Sequence, residues 1–178
     1  NTEATFFAVY TEYSTGQYTI VAIVPSSWSN YFLIQSAGTY HITNIPSTGN
    51  FSGKHHQCAD PDSGNYIAFC SRWGTTPSDI DTYMNNNKST ASMYTVGTPL
   101  NNTTANRKVH LGYRQDYSAW LQGNIAEVIG YNIKLSDSAI AEVNNYLINK
   151  YNIKQGGLLS VTDSIIDVTC NGGSDGSI

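Results

Sequence analysis

The chain has 178 residues, enough for one domain with a substantial core and a short remainder. Hydrophobic residues make up 40% and charged residues only 12%, well below the roughly 25% usual in soluble proteins, so polarity rests on Asn, Ser, Thr and 13 tyrosines. Net charge is −4 with no Lys/Arg cluster, which argues against a nucleic-acid partner, and no apolar run approaches the ~20 residues of a membrane span.

Residues 5–13 (TFFAVYTEY) and 18–24 (YTIVAIV) are short and rich in β-branched and aromatic residues, which predicts two strands; Gly16 between them suits a hairpin. Both faces of each run are apolar, as in central strands covered on both sides. NYFLIQSA and TYHITNI form a further predicted pair across Gly38, and 44–65, dense in Pro, Gly, Ser and Asp, reads as loop. NYIAFCSRW returns to strand, GTTPSD turns, IDTYMN is a short strand and NNNKSTAS a polar hairpin tip. RKVHLGY and GNIAEVIGYN complete the set. Turn signals every ten or so residues mark an all-β sandwich or barrel. One helix is expected at 136–150, with Ser136 as N-cap, Asp137 in the first turn, and Ile140, Val143, Leu147 and Tyr151 as one apolar stripe. KQGGLLS follows as a hinge, so residues 154–160 read as a linker before a new strand, VTDSIIDVTC.

Three cysteines are an odd count. Cys58 and Cys70 suit either a disulfide, if the compartment is oxidising, or two buried thiols. KHHQC joins His55, His56 and Cys58, but that spacing matches no standard zinc pattern.

The segment 119–153, AWLQGNIAEVIGYNIKLSDSAIAEVNNYLINKYNI, resembles the laminin-G-like branch of the concanavalin A-like lectin/glucanase superfamily. Gly123, Ile125 to Ile129, Tyr131, Asn132, Leu135 to Asp137, Leu147, Lys150 and Tyr151 carry that resemblance. Upstream, TFFAVYTEYS, IDTYMNNNK and KVHLGYR look like strands of the same family, with Asn where its turn usually has Gly. The resemblance implies an antiparallel β-sandwich of the jelly-roll type over residues 1–153, closed by a C-terminal helix. Family members carry a stretch before the first strand seen here, so the N-terminal strands are expected to be missing. The tail 161–178, VTDSIIDVTCNGGSDGSI, resembles the first strand and turn of an SprB-type repeat, found in tandem in Bacteroidetes surface adhesins. That resemblance implies a secreted or cell-surface parent, neighbouring domains on the same long polypeptide, and a setting of attachment or gliding motility.

Glucanases of the superfamily place carboxylates at alternate positions of one strand, because glycoside hydrolysis needs two carboxyls about 5–10 Å apart. The chain has four glutamates, Glu3, Glu12, Glu127 and Glu142, none with a second acid two residues away. Asp79 and Asp81 have that spacing but read as turn residues, and Glu127 as a structural residue; a non-enzyme is expected. A sugar site needs aromatic platforms beside polar side chains. SRWGTTPSD supplies Arg72 and Trp73, and GYRQDYSAW supplies Tyr113, Arg114, Asp116, Tyr117 and Trp120. The bland alternative is that these aromatics fill or cap the core. Calcium, common in the superfamily, has a candidate site in CADPDSGN at Asp60, Asp62 and Asn65, which also reads as a Pro-Gly turn. The expected function is a carbohydrate-binding or adhesion module whose partners are glycans or other surface ligands. A structural spacer without a ligand is the alternative, and a glycoside hydrolase the third.

Overall fold

The computed structural model describes residues 3–14, 16–24, 32–37, 40–47, 50–57, 64–75, 79–89, 93–95, 108–114 and 119–154. Among them are β1 (Ala4–Glu12), β2 (Gln17–Val24), β3 (Phe32–Ala37), β4 (Tyr40–Ser47), β5 (Asn50–Gln57), β6 (Ile67–Trp73), β7 (Asp81–Met84), β8 (Asn87–Lys88), β9 (Met93–Thr95), β10 (Lys108–Leu111), β11 (Tyr113–Arg114), β12 (Ala119–Trp120), β13 (Gly123–Tyr131) and α1 (Asp137–Lys150). A five-stranded sheet runs β13-β1-β6-β7-β8 and a six-stranded sheet β10-β2-β3-β4-β5-β9, while β11 and β12 form a separate ribbon. The architecture is the expected antiparallel β-sandwich with a C-terminal helix. The tail 161–178 and most of the linker before it lie outside the described residues.

Strand β1 lies between β13 and β6 in the five-stranded sheet, and its alternate residues feed two cores. Ala8 and Tyr10 pack between the sheets with Ile20, Phe32, Ile34 and Phe69. Phe7 and Val9 face the other way and pack with Ala68, Cys70, Ile140, Leu147 and Ile148 beneath α1. This explains why the run is apolar on both faces. The hairpin expected across Gly16, however, does not form. β2 pairs with β3 and β10 instead, so β1 and β2 lie in different sheets. Just after β1 the Tyr13 amide donates to the Gln122 carbonyl at 2.8 Å, beside β13 rather than β2.

Nor is 44–65 all loop. β4 continues to Ser47, and Asn50–Gln57 pairs with it along eight residues and with β9 beyond. NFSGKHHQ has little β-propensity, so a neighbour on each side fixes its conformation where the residues alone do not. The β3–β4 pair is as expected. So is the polar turn after β7, where Asn85 and Asn86 adopt φ of 48° and 70°. Asn tolerates this left-handed pair, and Asn85 anchors it by accepting from the Ala68 amide at 2.9 Å and donating its own amide to the Ala68 carbonyl at 2.8 Å.

Helix α1 covers the outer face of the five-stranded sheet. Ser136 caps it, its hydroxyl accepting from the Ala139 amide at 3.2 Å. Ile140, Leu147 and Ile148 are buried, Val143 and Tyr151 partly so, matching the predicted stripe. Each buried Ile or Leu contributes roughly 1.5–3 kcal/mol. The entry to the helix is tied to β1 through Thr5, whose hydroxyl donates to the Ile133 carbonyl at 2.9 Å and accepts from the Leu135 amide at 3.0 Å.

At the far end of β1, the face that carries Ala8 and Tyr10 ends in Glu12, only 3% exposed. The Ser36 hydroxyl of β3 donates to its Oε2 at 2.9 Å, and Oε1 has no hydrogen bond. Burial pushes the Glu12 carboxyl up to about 7, opposed only in part by Ser36. The folded chain therefore holds a proton that the unfolded chain releases near 4.5. Stability from this group is complete below that pH and is lost as pH rises through about 7. In metal-free buffer the thermal midpoint is expected to fall between pH 5 and pH 8. Glu12→Gln should flatten that decline and raise the midpoint at pH 8; an unchanged profile in the variant would refute the assignment.

Candidate functional site

The two stretches marked as candidate ligand residues lie at opposite ends of β1. Trp73 is in register with Ala4, whereas the chain that follows Trp120 enters β13 at Gly123, which pairs with Glu12. Eight residue steps of strand separate them, roughly 27 Å.

At the first end, Arg72 and Trp73 serve packing. The Arg72 side chain is 9% exposed. Its Nε and Nη2 donate to Asp81 Oδ2 at 3.0 and 2.8 Å, and Nη1 donates to the Leu135 carbonyl at 2.7 Å. It also pairs with Asp137 in the first turn of α1. Lys88 adds a second cation, 3.2 Å from Asp81 Oδ1. Burial alone would raise the Asp81 carboxyl, but hydrogen bonds from Arg72 and Lys88 outweigh it and hold the group below the usual range. Trp73 stacks on Phe32 at 4.8 Å and on Phe6 at 5.8 Å, against the core between the sheets.

The carboxylates weighed for hydrolysis are engaged as well. Asp79 pairs with Lys134 at 3.1 Å. Glu127 Oε2 accepts from Lys150 Nζ at 3.0 Å and from the Tyr151 hydroxyl at 3.1 Å, joining β13 to the last turn of the helix.

At the other end of β1, Trp120 and Tyr13 are exposed and Tyr113 is half-buried. The Tyr113 and Trp120 rings lie 4.0 Å apart across the β11–β12 ribbon, with the indole 62% exposed. His110 stands 6.2 Å behind Tyr113. The ribbon is seated by Gly112, at φ +68°, whose amide donates to the Ile20 carbonyl at 2.9 Å and whose carbonyl accepts from the Leu121 amide at 2.8 Å. Arg114, by contrast, is buried. The structure adds residues that the sequence did not mark. Tyr13, 56% exposed, accepts on its hydroxyl from the Asn124 side-chain amide. The Ser14 hydroxyl donates to Gln122 Oε1 at 2.8 Å and bonds the Tyr18 hydroxyl at 2.6 Å. Only the pairing of the end of β1 with the start of β13 brings Tyr13 and Ser14 to the residues after Trp120, and no local motif announces it.

Asp116, Tyr117, Cys58, Asp60 and Asp62 lie outside the described residues. Asn65 is exposed, next to Gly64, whose amide donates to the Glu12 carbonyl at 2.8 Å. Cys70 is a free, buried thiol, and burial pushes its pKa far up. Among the residues whose side chains are described, no three His, Cys, Asp or Glu gather as metal ligands. Among the described residues no helix is long and apolar enough to cross a membrane.

The sequence matches no protein-family model and no curated protein. Solved structures share the fold. Domains LG4-5 of the mouse laminin α1 chain superpose with a TM-score of 0.54 at 9% identity, over 76% of this chain and 37% of that one. The Streptococcus pneumoniae sialidase NanB gives 0.61 at 14% identity, over 80% of this chain and 24% of the enzyme. The CBM40 module of the Ruminococcus gnavus IT-sialidase, bound to α2,3 sialyllactose, gives 0.61 at 13% identity, over 80% of this chain and 82% of the module. The chain thus spans well under half of the laminin and NanB chains and most of the isolated module. At these identities the likeness establishes the jelly-roll fold.

Removing Arg72 would leave Asp81 and the Leu135 carbonyl short of their main donor. Arg72→Ala is expected to cost about 2–4 kcal/mol in urea unfolding. Arg72→Lys should recover only part of this, because an ammonium cannot reproduce the fork. A loss below about 0.5 kcal/mol would show that the cluster does not hold the helix entry.

Proposed function

We propose that the domain is a non-catalytic carbohydrate-binding module whose ligand lies against Trp120 and Tyr113 of the β11–β12 ribbon. The observation that carries this reading is the Tyr113–Trp120 pair, two rings held 4.0 Å apart on a short ribbon with the indole largely in solvent. The apolar C–H face of a sugar ring packs on such a surface. Asn124, Gln122 and Ser14, near Tyr13, carry amides and a hydroxyl suited to sugar hydroxyls. A module of the same fold was solved with a sialylated sugar bound, which supports glycans as the ligand class. In this reading the engaged states of Asp79, Asp81 and Glu127 fit structural carboxylates better than a hydrolytic pair.

The setting we infer is a long secreted or cell-surface protein, in which residues 161–178 open an SprB-type repeat and many weak sites act together in attachment. The gliding-adhesin context rests on that resemblance.

A glycan array probed with the purified chain tests the reading. Specific binding is expected, reduced at least tenfold (~1.4 kcal/mol) by Trp120→Ala and by Tyr113→Ala. Trp73→Ala should lower stability by about 2–4 kcal/mol and leave the glycan preference unchanged. Absence of binding by the folded chain, or binding indifferent to Trp120, would reject the site and leave the spacer reading.

A further inference from the structure

β13 is the outermost strand of the five-stranded sheet and β10 of the six-stranded sheet, and among the described residues neither has a strand on its far edge. Both edges lie on one side of the sandwich: a Cβ added to Gly112, just after β10, would stand 3.8 Å from Ile125 Cδ1 of β13. That side is poorly covered. No residue of β13 is buried, although Ile125 and Val128 pack on the core between the sheets, and Ala126 and Ile129 on the core beneath α1. Val109 and Leu111 stand in register with Ile23 and Val21, which pack in the core between the sheets. Directly opposed residues share a face, so Val109 and Leu111 point inward, yet they are 62% and 54% exposed. Among the described residues, the other exposed large apolar side chains border β13. Trp120 precedes it, Ile133 follows it, Tyr13 bonds Asn124, and Tyr146 bonds Lys150, which bonds Glu127. An apolar surface gathered on one side in this way marks an interaction site.

We propose that a second copy of this chain covers this side, in a two-fold dimer whose β13 strands pair antiparallel, edge to edge. An open strand edge is a row of amides and carbonyls that another extended backbone satisfies along its length. The chain itself displays such an edge, and a two-fold axis lets one edge satisfy its own copy. Nothing in the sequence of β13 opposes this. Native edges are commonly guarded by Lys or Pro, but Gly123–Tyr131 has neither, and its one charge, Glu127, is already neutralised by Lys150 at 3.0 Å. The register of β13 against β1 shifts once, at Ala126, which leaves Glu127–Tyr131 as an unbroken edge. Pairing over that stretch turns Ile133 and Val109 toward the second copy and leaves Trp120, at the far end of β13, in solvent on each.

Sedimentation velocity of the intact chain in reducing buffer, from low micromolar to millimolar concentration, should show monomer passing to dimer. Val109→Lys and Ile133→Lys place charges where the monomer already exposes the side chain. Each should leave the thermal midpoint of the dilute chain unchanged and raise the dimer dissociation constant at least tenfold (~1.4 kcal/mol). Amide exchange gives a readout without any variant. At high concentration amides of residues 127–131 should gain protection, whereas those of β8 and β9, at the opposite edges of the two sheets, should not. A chain that stays monomeric throughout the range would overturn the proposal. So would a dimer indifferent to both substitutions, or β13 amides equally protected at every concentration, which would mark another segment of the chain as the cover.

Discussion

The structure depends on a single strand being buried on both sides. β1 places Ala8 and Tyr10 against the opposite sheet and Phe7 and Val9 against the helix, and it has β13 on one edge and β6 on the other. A sheet with one wet face needs apolar residues at every second position only. Here the outer face must be sealed too, which gives α1 a structural task. Ile140, Leu147 and Ile148 supply the apolar cover, and Thr5, Arg72 and Glu127 tie the helix to the sheet at its entry and exit. Gly123 follows from the same crowding, since a Cβ there would fall 1.8 Å from the Thr11 carbonyl oxygen of β1.

The double burial also sorts the polar residues. Near the start of β1 the charged groups satisfy one another: Arg72, Asp81, Lys88 and Asp137 form one network, and Trp73 is stacked into the core. At the end of β1 the pattern reverses. Trp120 and Tyr13 are largely exposed, amides and hydroxyls sit beside Tyr13, and a carboxylate is buried with half of its hydrogen-bonding capacity unused. The jelly-roll fold by itself serves laminin domains and sialidase modules alike, so function must be argued from these side chains and not from the scaffold.

Much of the fold was legible where local signals agreed with their surroundings. The helix was readable from Ser136, Asp137 and one apolar stripe, and β1, β6 and β13 from their β-branched and aromatic runs. β5 was not, because Asn, Ser, Gly, Lys and His carry no strand signal and only pairing to β4 and β9 imposes the conformation. The partner of β2 was not legible either: a Gly-containing turn between two apolar runs fits a hairpin and a crossing between sheets equally well. At the candidate site, Trp120 and Tyr113 were readable as aromatics beside polar residues. Tyr13, Asn124 and Glu12 were not, since their relevance comes from contacts across more than twenty residues of sequence.

Native-state hydrogen exchange followed residue by residue is the direct test of the two-sided burial of β1. Amides of β1, β6 and α1 should exchange together, at the rate set by global unfolding, because helix and sheet share one core. Helix amides that exchange orders of magnitude faster than those of β1 and β6 would show that α1 merely rests on the sandwich, and would contradict the account.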